Sequence, residues 1–587
     1  IYQAESDVRE VIDQAKKLEG CSRHISVHAA GVVIAPKPLV EYVPLQFDPK
    51  GGKIITQYDM HSVESAGLLK FDFLGIRNLA ILGDAVTLIE QHEHKKIDIE
   101  NIPLDDQKTF ELLARGETAG LFQLNGSGMT RYLKDLRPTT IHDINAMVAL
   151  YRPGPIESIP SYIQRKHNPG LVRFFDPRMK DILTQSHGIM VYQDDVLMTA
   201  IKLGGYSWLE VDKLRKAMGK KIPAEMEAQR LKLIDGFIKN GMAPVKAMEL
   251  WKLIEPFAAY GFNKAHAASY GLVAYQTAYA KANFPGEYMT AILTAESGDI
   301  EKIAEIISEC RRMEIPVLPP DINESVGKFT LIKDGSTNSP QVSGGDKIRF
   351  GLESVKNVGV NIIDAIIQAR CLVGKFKSIT DFIERVQHKD LNKKSLESLI
   401  RCGAFDCLGC ERNQLLFNLD ILLEYNREAQ KISRAGQFSL FGDGDQVHLS
   451  SLRLKETEPA GKKERLLWEK ELLGLYVTEH PLEEYKAKFE NQKVLPLKDL
   501  LAGLNGKTVS IGGLVSVIRR INTKAGDPML FVKMEDLTAS AEVLVFPKVL
   551  ARNPDIWQTE RVLKVTGRVS DKDGTAKILC ENAVEVV

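Results

Sequence analysis

A multidomain α+β chain is predicted by three features: a length of 587 residues, a long helical block behind a short mixed segment, and a β-rich end. One hydrophobic core does not extend over such a length, and a 44% hydrophobic content can furnish a core for each of several domains. Lys plus Arg and Asp plus Glu number 77 each, for a formal net charge of zero. Any contact with a polyanion must therefore come from local basic faces. No apolar run reaches the roughly 18 residues of a membrane span, no basic and apolar leader opens the chain, and a cytoplasmic protein is expected. Ile1 in first position hints that the sequence begins partway through a gene product. The seven cysteines, an odd number, read as reduced thiols. Cys407 and Cys410, even with Cys402 and His388, make one close pair without a second, a weak zinc signal.

Taken in order, residues 1–20 have the spacing of an amphipathic helix, and Gly31-Val32-Val33-Ile34 and Lys53-Ile54-Ile55-Thr56 have the composition of strands. From 81 to 330 helical periodicity dominates, with stops at Asn240-Gly241 and before Pro285. Residues 333–347, 430–446 and 455–463 are polar, Gly- or Ser-containing breaks that mark candidate boundaries. From 506 onward, runs such as Thr508-Val509-Ser510-Ile511 and Met529-Leu530-Phe531-Val532 predict about five strands, enough for a small barrel.

In Leu69-Lys70-Phe71-Asp72-Phe73, strand alternation places Lys70 and Asp72 on one face and the apolar residues on the other. An Asp beside a Lys stays ionised, and an ionised carboxylate on a rigid strand suits a magnesium ion while the lysine meets phosphate. A plain surface ion pair has the same local pattern. Ser207-Trp208-Leu209-Glu210 is a capping box that starts a helix. Its apolar side carries Val211, Leu214 and Met218, and Lys213, Lys216 and Lys220 fall within about 60° of one another on the other side. Those cations can track phosphates or form an ordinary solvated face.

Phe350-Gly351-Leu352-Glu353-Ser354-Val355-Lys356-Asn357-Val358-Gly359 precedes a helix with Ile362, Ile363, Ile366 and Ile367, and resembles a helix-hairpin-helix that binds phosphate through backbone N–H groups. A helical hairpin without a nucleic-acid role is the alternative. Gln437-Phe438-Ser439-Leu440-Phe441 sets apolar anchors in a polar stretch, as docking peptides do. Arg519, Arg520 and Lys524 flank the first hairpin of the β-rich end, which resembles an OB-fold, and are candidate single-strand contacts or ordinary surface charge.

Several strings then point the same way: residues 28–36, HAAGVVIAP; 67–75, GLLKFDFLG; 120–124, GLFQL; 151–155, YRPGP; 191–196, VYQDDV; 214–221, LRKAMGKK; and 259–270, AYGFNKAHAASY. Their joint order resembles the C-family replicative polymerases, the bacterial DNA polymerase III alpha subunits. The resemblance implies the end of a thumb at 1–27, a partial polymerase-beta-like palm at 28–80, large helical fingers at 81–330, and a helix-hairpin-helix and clamp-binding domain at 348–428. A linker with a sliding-clamp peptide at 430–446, a connecting helical segment at 464–505 and an OB-fold β-barrel at 506–587 complete it.

The resemblance also implies DNA-templated DNA synthesis in chromosomal replication by two-metal nucleotidyl transfer, with two Mg2+ ions in the intact parent. Asp72 matches the third catalytic carboxylate and Lys70 accompanies it. Arg152, Lys213, Arg215, Lys216, Lys220, Lys221, Lys264, His266 and Lys356 become candidate nucleotide or DNA contacts, with Tyr270 or Tyr275 stacking on a base, beside Arg519, Arg520 and Lys524. Gln437, Leu440 and Phe441 become the clamp-binding residues, and other replicase subunits are expected partners. The paired aspartates of the family lie ahead of Ile1, and Asp443 and Asp445 in a Gly-rich linker do not replace them. The chain by itself is thus expected not to polymerise. A non-catalytic DNA- and clamp-binding scaffold is the alternative, and a helical interaction protein with a barrel and no nucleic acid is a blander third.

Overall fold

The computed structural model describes residues 2, 5–21, 24–49, 51–220, 223–333, 345–435, 452–500, 504–523, 526–537, 539–570 and 576–586. The chain divides into two units, Ile1–Ala80 and Ile81–Val587.

The first unit is small and open. The expected helix is present over Ser6–Leu18, yet it buries none of its residues. Strands β1 (Gly31–Ile34), β2 (Leu45–Phe47), β3 (Ile54–Thr56) and β4 (Leu69–Asp72) form two antiparallel pairs, β1 with β4 and β2 with β3. Between β3 and β4 the helix Met60–Ser65 starts at Asp59, whose carboxylate accepts from the His61 and Ser62 backbone N–H groups. Val43, Val63 and Leu68 make the core, with Val33, Ala35, Leu39 and Leu45 packed around them.

The second unit begins helical, as the periodicity predicts, and has two helical cores. One gathers Val196, Leu214, Met218, Leu233, Phe237, Leu250 and Trp251 from the helices Gln193–Lys202, Trp208–Lys220, Pro223–Lys239 and Pro244–Tyr260. The larger core includes the helices Ile141–Leu150, Lys264–Asn283 and Pro285–Ala295, and it runs on without a break into Phe350, Ile362, Phe382, Leu399 and Leu422. Inside it, Lys281 is 1% exposed and its ammonium donates to the Glu117 and Ala119 carbonyls, both at 2.8 Å, and to Glu309 Oε1 at 2.5 Å. Glu309 also accepts two bonds from Arg312.

The polar break expected at 333–347 lies within a small sheet. Strands β5 (Val317–Leu318), β6 (Thr330–Ile332) and β7 (Lys347–Arg349) pair in the order β5-β7-β6, with Val317 and Ile348 aligned in parallel. The chain therefore returns to the same core on both sides of the break. Beyond it, the helix Val360–Val373 buries Ile362, Ile363 and Ile366, and the helix Lys393–Arg401 buries Leu396, Leu399 and Ile400. The helix Leu419–Ala435 continues past residue 430, where a linker was expected.

The last 80 or so residues form a closed barrel of five strands, in agreement with the sequence pattern. They are β8 (Thr508–Asn522), β9 (Pro528–Glu535), β10 (Ser540–Val545), β11 (Val562–Ser570) and β12 (Lys577–Glu585), in the order β10-β12-β11-β8-β9. Every pairing is antiparallel except the closing one, β10 with β12. The barrel has its own core, including Ile511, Val532, Val543, Leu563 and Ile578. A separate apolar cluster, Leu466, Tyr476, Leu482, Leu514, Val562 and Val586, joins it to the helix Lys462–Leu473. Lys470 and Tyr476 both bond the Glu560 carboxylate at that junction.

Candidate functional site

Asp72 ends β4 and lies opposite Gly31 of β1, while Phe73 N donates to Ala30 O at 2.8 Å and continues the pairing. Lys70 Nζ is 2.5 Å from Asp72 Oδ1, and His28 Nδ1 is 3.4 Å from the same oxygen. The Lys70 hydrogen bond, aided by the charges of Lys70 and His28, holds the Asp72 carboxyl below its ordinary range, so it is ionised at neutral pH. Alternation places the residues as expected, but the apolar side is the open one: Leu69, Phe71, Phe73, Val32 and Ile34 are all exposed. Lys70 lies toward the core side, with a side chain 15% exposed against 54% for Asp72. One carboxylate with one imidazole falls short of the six oxygen-rich positions, roughly, that a magnesium ion requires. Among the described residues no group of three or more His, Cys, Asp or Glu is placed to hold a metal ion. The described residues at this strand end therefore do not by themselves make up a metal-ion site.

The capping box at the start of Trp208–Lys220 is formed: Ser207 N and Oγ both reach Glu210 Oε2, and Glu210 N donates back to Ser207 Oγ. Val211, Leu214 and Met218 are buried, and Lys213, Arg215 and Lys216 are exposed. Arg215 and Lys216 share one acid, with Arg215 Nη2 and Lys216 Nζ each 2.8 Å from an Asp212 oxygen. The exposed basic face thus carries an internal counter-ion, Asp212, that spacing alone did not single out. The Lys220 side chain and Lys221 lie outside the described residues.

Three of the quoted strings meet at the start of the helix Lys264–Asn283. Tyr192 and Phe262 form a parallel bridge, Gln193 N donates to Phe262 O at 2.9 Å, and Lys264 N donates to Asp194 Oδ2 at 2.9 Å. Asn263 caps the helix by accepting from His266 N. The Arg152 guanidinium lies 3.6 Å from the Phe262 ring centroid, and His266 contacts Phe262 and Tyr270 at 5.2 and 4.1 Å between ring centroids. Lys264 and His266 are exposed, Arg152 and Tyr270 half-buried, so this ledge can meet a polyanion and a flat base together. Tyr275 cannot. It is fully buried, its hydroxyl donating to Pro103 O at 2.7 Å and accepting from Asp106 N, and its ring packs on Phe110. Asp194 and Phe262, both inside the quoted strings, were not among the expected site residues.

Lys356 is exposed at the turn before Val360–Val373, but its backbone N–H already donates to Leu472 O at 3.2 Å. Asn357 takes φ +69° there and donates from Nδ2 to Ser398 Oγ. In the barrel, Arg519 and Arg520 are both exposed on β8, Arg519 over the Phe531 ring at 5.0 Å. As strand neighbours they point to opposite faces, so one bound strand cannot meet both on one surface. Lys524, the peptide Gln437, Leu440 and Phe441, and the pair Asp443 and Asp445 lie outside the described residues. The cysteines that are described are free thiols, and Cys402 is buried. No described helix is long and apolar enough to cross a membrane.

Four family models match in chain order: the bacterial DNA polymerase III alpha NTPase domain over residues 1–75, the bacterial DNA polymerase III alpha subunit finger domain over 78–241, a helix-hairpin-helix motif over 314–415, and an OB-fold nucleic acid binding domain over 509–586. Curated relatives match nearly throughout. The DNA polymerase III subunit alpha of Thermus aquaticus is 42% identical over 92% of this chain and 43% of its own length. Those of Saccharopolyspora erythraea and Escherichia coli strain K12 are 40% and 38% identical over the whole chain and 49% and 51% of their lengths. Fold and matches together define a chain of polymerase fingers joined to helix-hairpin-helix and OB modules. It belongs to the bacterial DNA polymerase III alpha subunit family, and it spans about half the length of the curated relatives it matches.

Proposed function

We infer that the chain serves DNA-templated DNA synthesis in chromosomal replication, as part of a longer polymerase subunit. The observation that carries this reading is the Lys70–Asp72 pair, bonded at 2.5 Å on a paired strand, in a chain whose relatives are DNA polymerase III alpha subunits. In this reading Asp72 gives one oxygen ligand to a magnesium centre that needs further carboxylates, and magnesium would supply charge neutralisation and activation of the attacking hydroxyl. Lys213, Arg215 and Lys216 meet phosphate, as do Lys220 and Lys221 by the same resemblance. Arg152, Lys264, His266 and Tyr270 form the ledge for nucleotide or template. The helix-hairpin-helix around Lys356 holds duplex backbone, the barrel takes single-stranded template, and Gln437, Leu440 and Phe441 dock on a sliding clamp.

Primer extension by the full-length gene product with Mg2+ tests the reading. Asp72→Asn keeps the shape of the side chain but removes its charge, and extension should fall to the level of a control without enzyme. Extension unchanged by Asp72→Asn would remove Asp72 from the chemistry. The lone carboxylate favours a second reading, a non-catalytic DNA- and clamp-binding scaffold. That protein would bind primer–template in a salt-sensitive way and extend nothing. Replacing Gln437, Leu440 and Phe441 with Ala should abolish capture by the clamp in either case, and full capture would discard the peptide.

A further inference from the structure

The segment between the helices Pro244–Tyr260 and Lys264–Asn283 is fastened around one partly buried ring, Phe262. The backbone of Phe262 is clasped by Tyr192 and Gln193, and the Asp194 carboxylate takes the Lys264 N–H two residues on. With its backbone held from outside, the ring has little freedom to drift. Arg152 approaches that ring at 3.6 Å, and the His266 imidazole meets it edge-on at 5.2 Å and 71°. Tyr270 and then Phe122 extend the row, at 4.1 and 5.2 Å between successive ring centroids. Among the described residues no carboxylate forms an ion pair with Arg152, in contrast to Arg215, which Asp212 neutralises. A half-buried guanidinium held by a π face keeps its N–H fork available to an anion, and that fork suits the oxygens of a phosphate.

We propose that Phe262 is a positioning residue: it holds Arg152, and through the same ring His266, in place for a phosphate group. This inference rests on the polymerase reading above and adds a residue to it. The phosphate is that of an incoming deoxynucleoside triphosphate or of the primer–template backbone, the two sources having the same chemistry at this fork. Phe262 acts through Arg152 and touches no reacting atom itself. An aromatic ring at 262 is therefore required, and its para substituent is not.

The test uses the full-length gene product in steady-state primer extension, with KM for dATP opposite template T and the dissociation constant for primer–template measured separately. Phe262→Leu and Arg152→Ala are each expected to raise one of these constants by about tenfold, the loss of a partly desolvated cation–π contact. A rise in KM identifies the triphosphate as the source, and weaker primer–template binding identifies the backbone. The double variant should fall well short of the product of the two single effects, because both disturb the Arg152 fork, with only the looser hold on His266 adding to the loss of Arg152→Ala. Phe262→Tyr should keep the wild-type values. Effects that multiply in the double variant, or a Phe262→Tyr as impaired as Phe262→Leu, would overturn the proposal. Failure of the polymerase reading shows differently, as a wild-type protein that extends no primer. The coupling between Phe262 and Arg152 would then be read from salt-dependent primer–template binding alone, and its absence there would sink the inference too.

Discussion

Asp195 sits buried at the start of the helix Gln193–Lys202, where its Oδ2 accepts from the Val191 and Tyr192 backbone N–H groups, each at 2.9 Å. Those bonds favour the charged form, but burial outweighs them and pushes the carboxyl up to about 6. A folded-state pKa above the unfolded one means that the native protein binds the extra proton. Its contribution to stability is therefore full below the unfolded value and is lost as pH rises toward about 6. Asp195→Asn keeps an acceptor for both N–H groups and cannot ionise. Urea unfolding of both proteins at about pH 4 and about pH 7 should show the variant gaining relative to wild type as pH rises, by up to about 3 kcal/mol. Parallel curves would mean that Asp195 titrates normally. Lys281 is the opposite case, a buried cation whose three bonds are all satisfied. Lys281→Met leaves the Glu117 and Ala119 carbonyls without this donor and Glu309 with Arg312 alone, and should destabilise by about 3 kcal/mol in the same assay, toward the low end because Arg312 still donates to both Glu309 oxygens. At this scale Asp72 with Lys70 could be read from alternation, whereas Tyr275 could not be told from Tyr270 by residue type. The small residues Ala267, Gly271, Ala274 and Ala278 were the available clue, since they mark the close-packed face of that helix, beside which Tyr275 lies.

The helices Lys264–Asn283 and Ile141–Leu150 pack so closely that a Cβ on Gly271 would stand 1.9 Å from Asn145 Oδ1 and 3.3 Å from Asn145 Cα. Gly271→Ala should therefore lower stability by about 1–3 kcal/mol despite the better helix propensity of Ala. Asn145 Oδ1 has no hydrogen-bond partner among the described residues, so Asn145→Ala sacrifices little there and should restore much of the loss in the double variant. Thermal melts of the four proteins check this, and a Gly271→Ala melt equal to wild type would mean the helices separate freely. Elements with a long periodic run were legible in the sequence: the helix after Ser207, the helices with Ile362 and Leu396, and the barrel strands. The sheet β5-β7-β6 was not. Its strands have two or three residues, too few for a period-2 signal, and its parallel pair joins Val317 to Ile348 across a stretch whose composition reads as a break.

Fingers and barrel expose their cations on separate cores, Lys213 and Lys216 over one and Arg519 and Arg520 over the other. Groups that share no partner should act independently. Replacing either pair with Ala should reduce the salt slope of primer–template binding by about one to two, and replacing both should give the sum. Anisotropy titrations at several salt concentrations measure the slopes, and a combined loss no larger than one pair's would mean that only one face meets DNA. The order of modules was readable because each has its own period and composition. The ledge of Arg152, Asp194, Phe262 and His266 was only partly so, since its members come from three distant strings and their meeting depends on tertiary packing.

Closure of the barrel has a consequence for how it is made. Strand β10 is paired on one side by β9, and its other edge, among the described residues, is paired only by β12, in parallel, residues 542–544 against 577–579. While the ribosome is still adding residues 546–576, that edge is an open row of peptide groups able to recruit a strand from another nascent chain. A stalled or truncated product lacking 577–585 would present that margin unpaired and open to a strand from another chain.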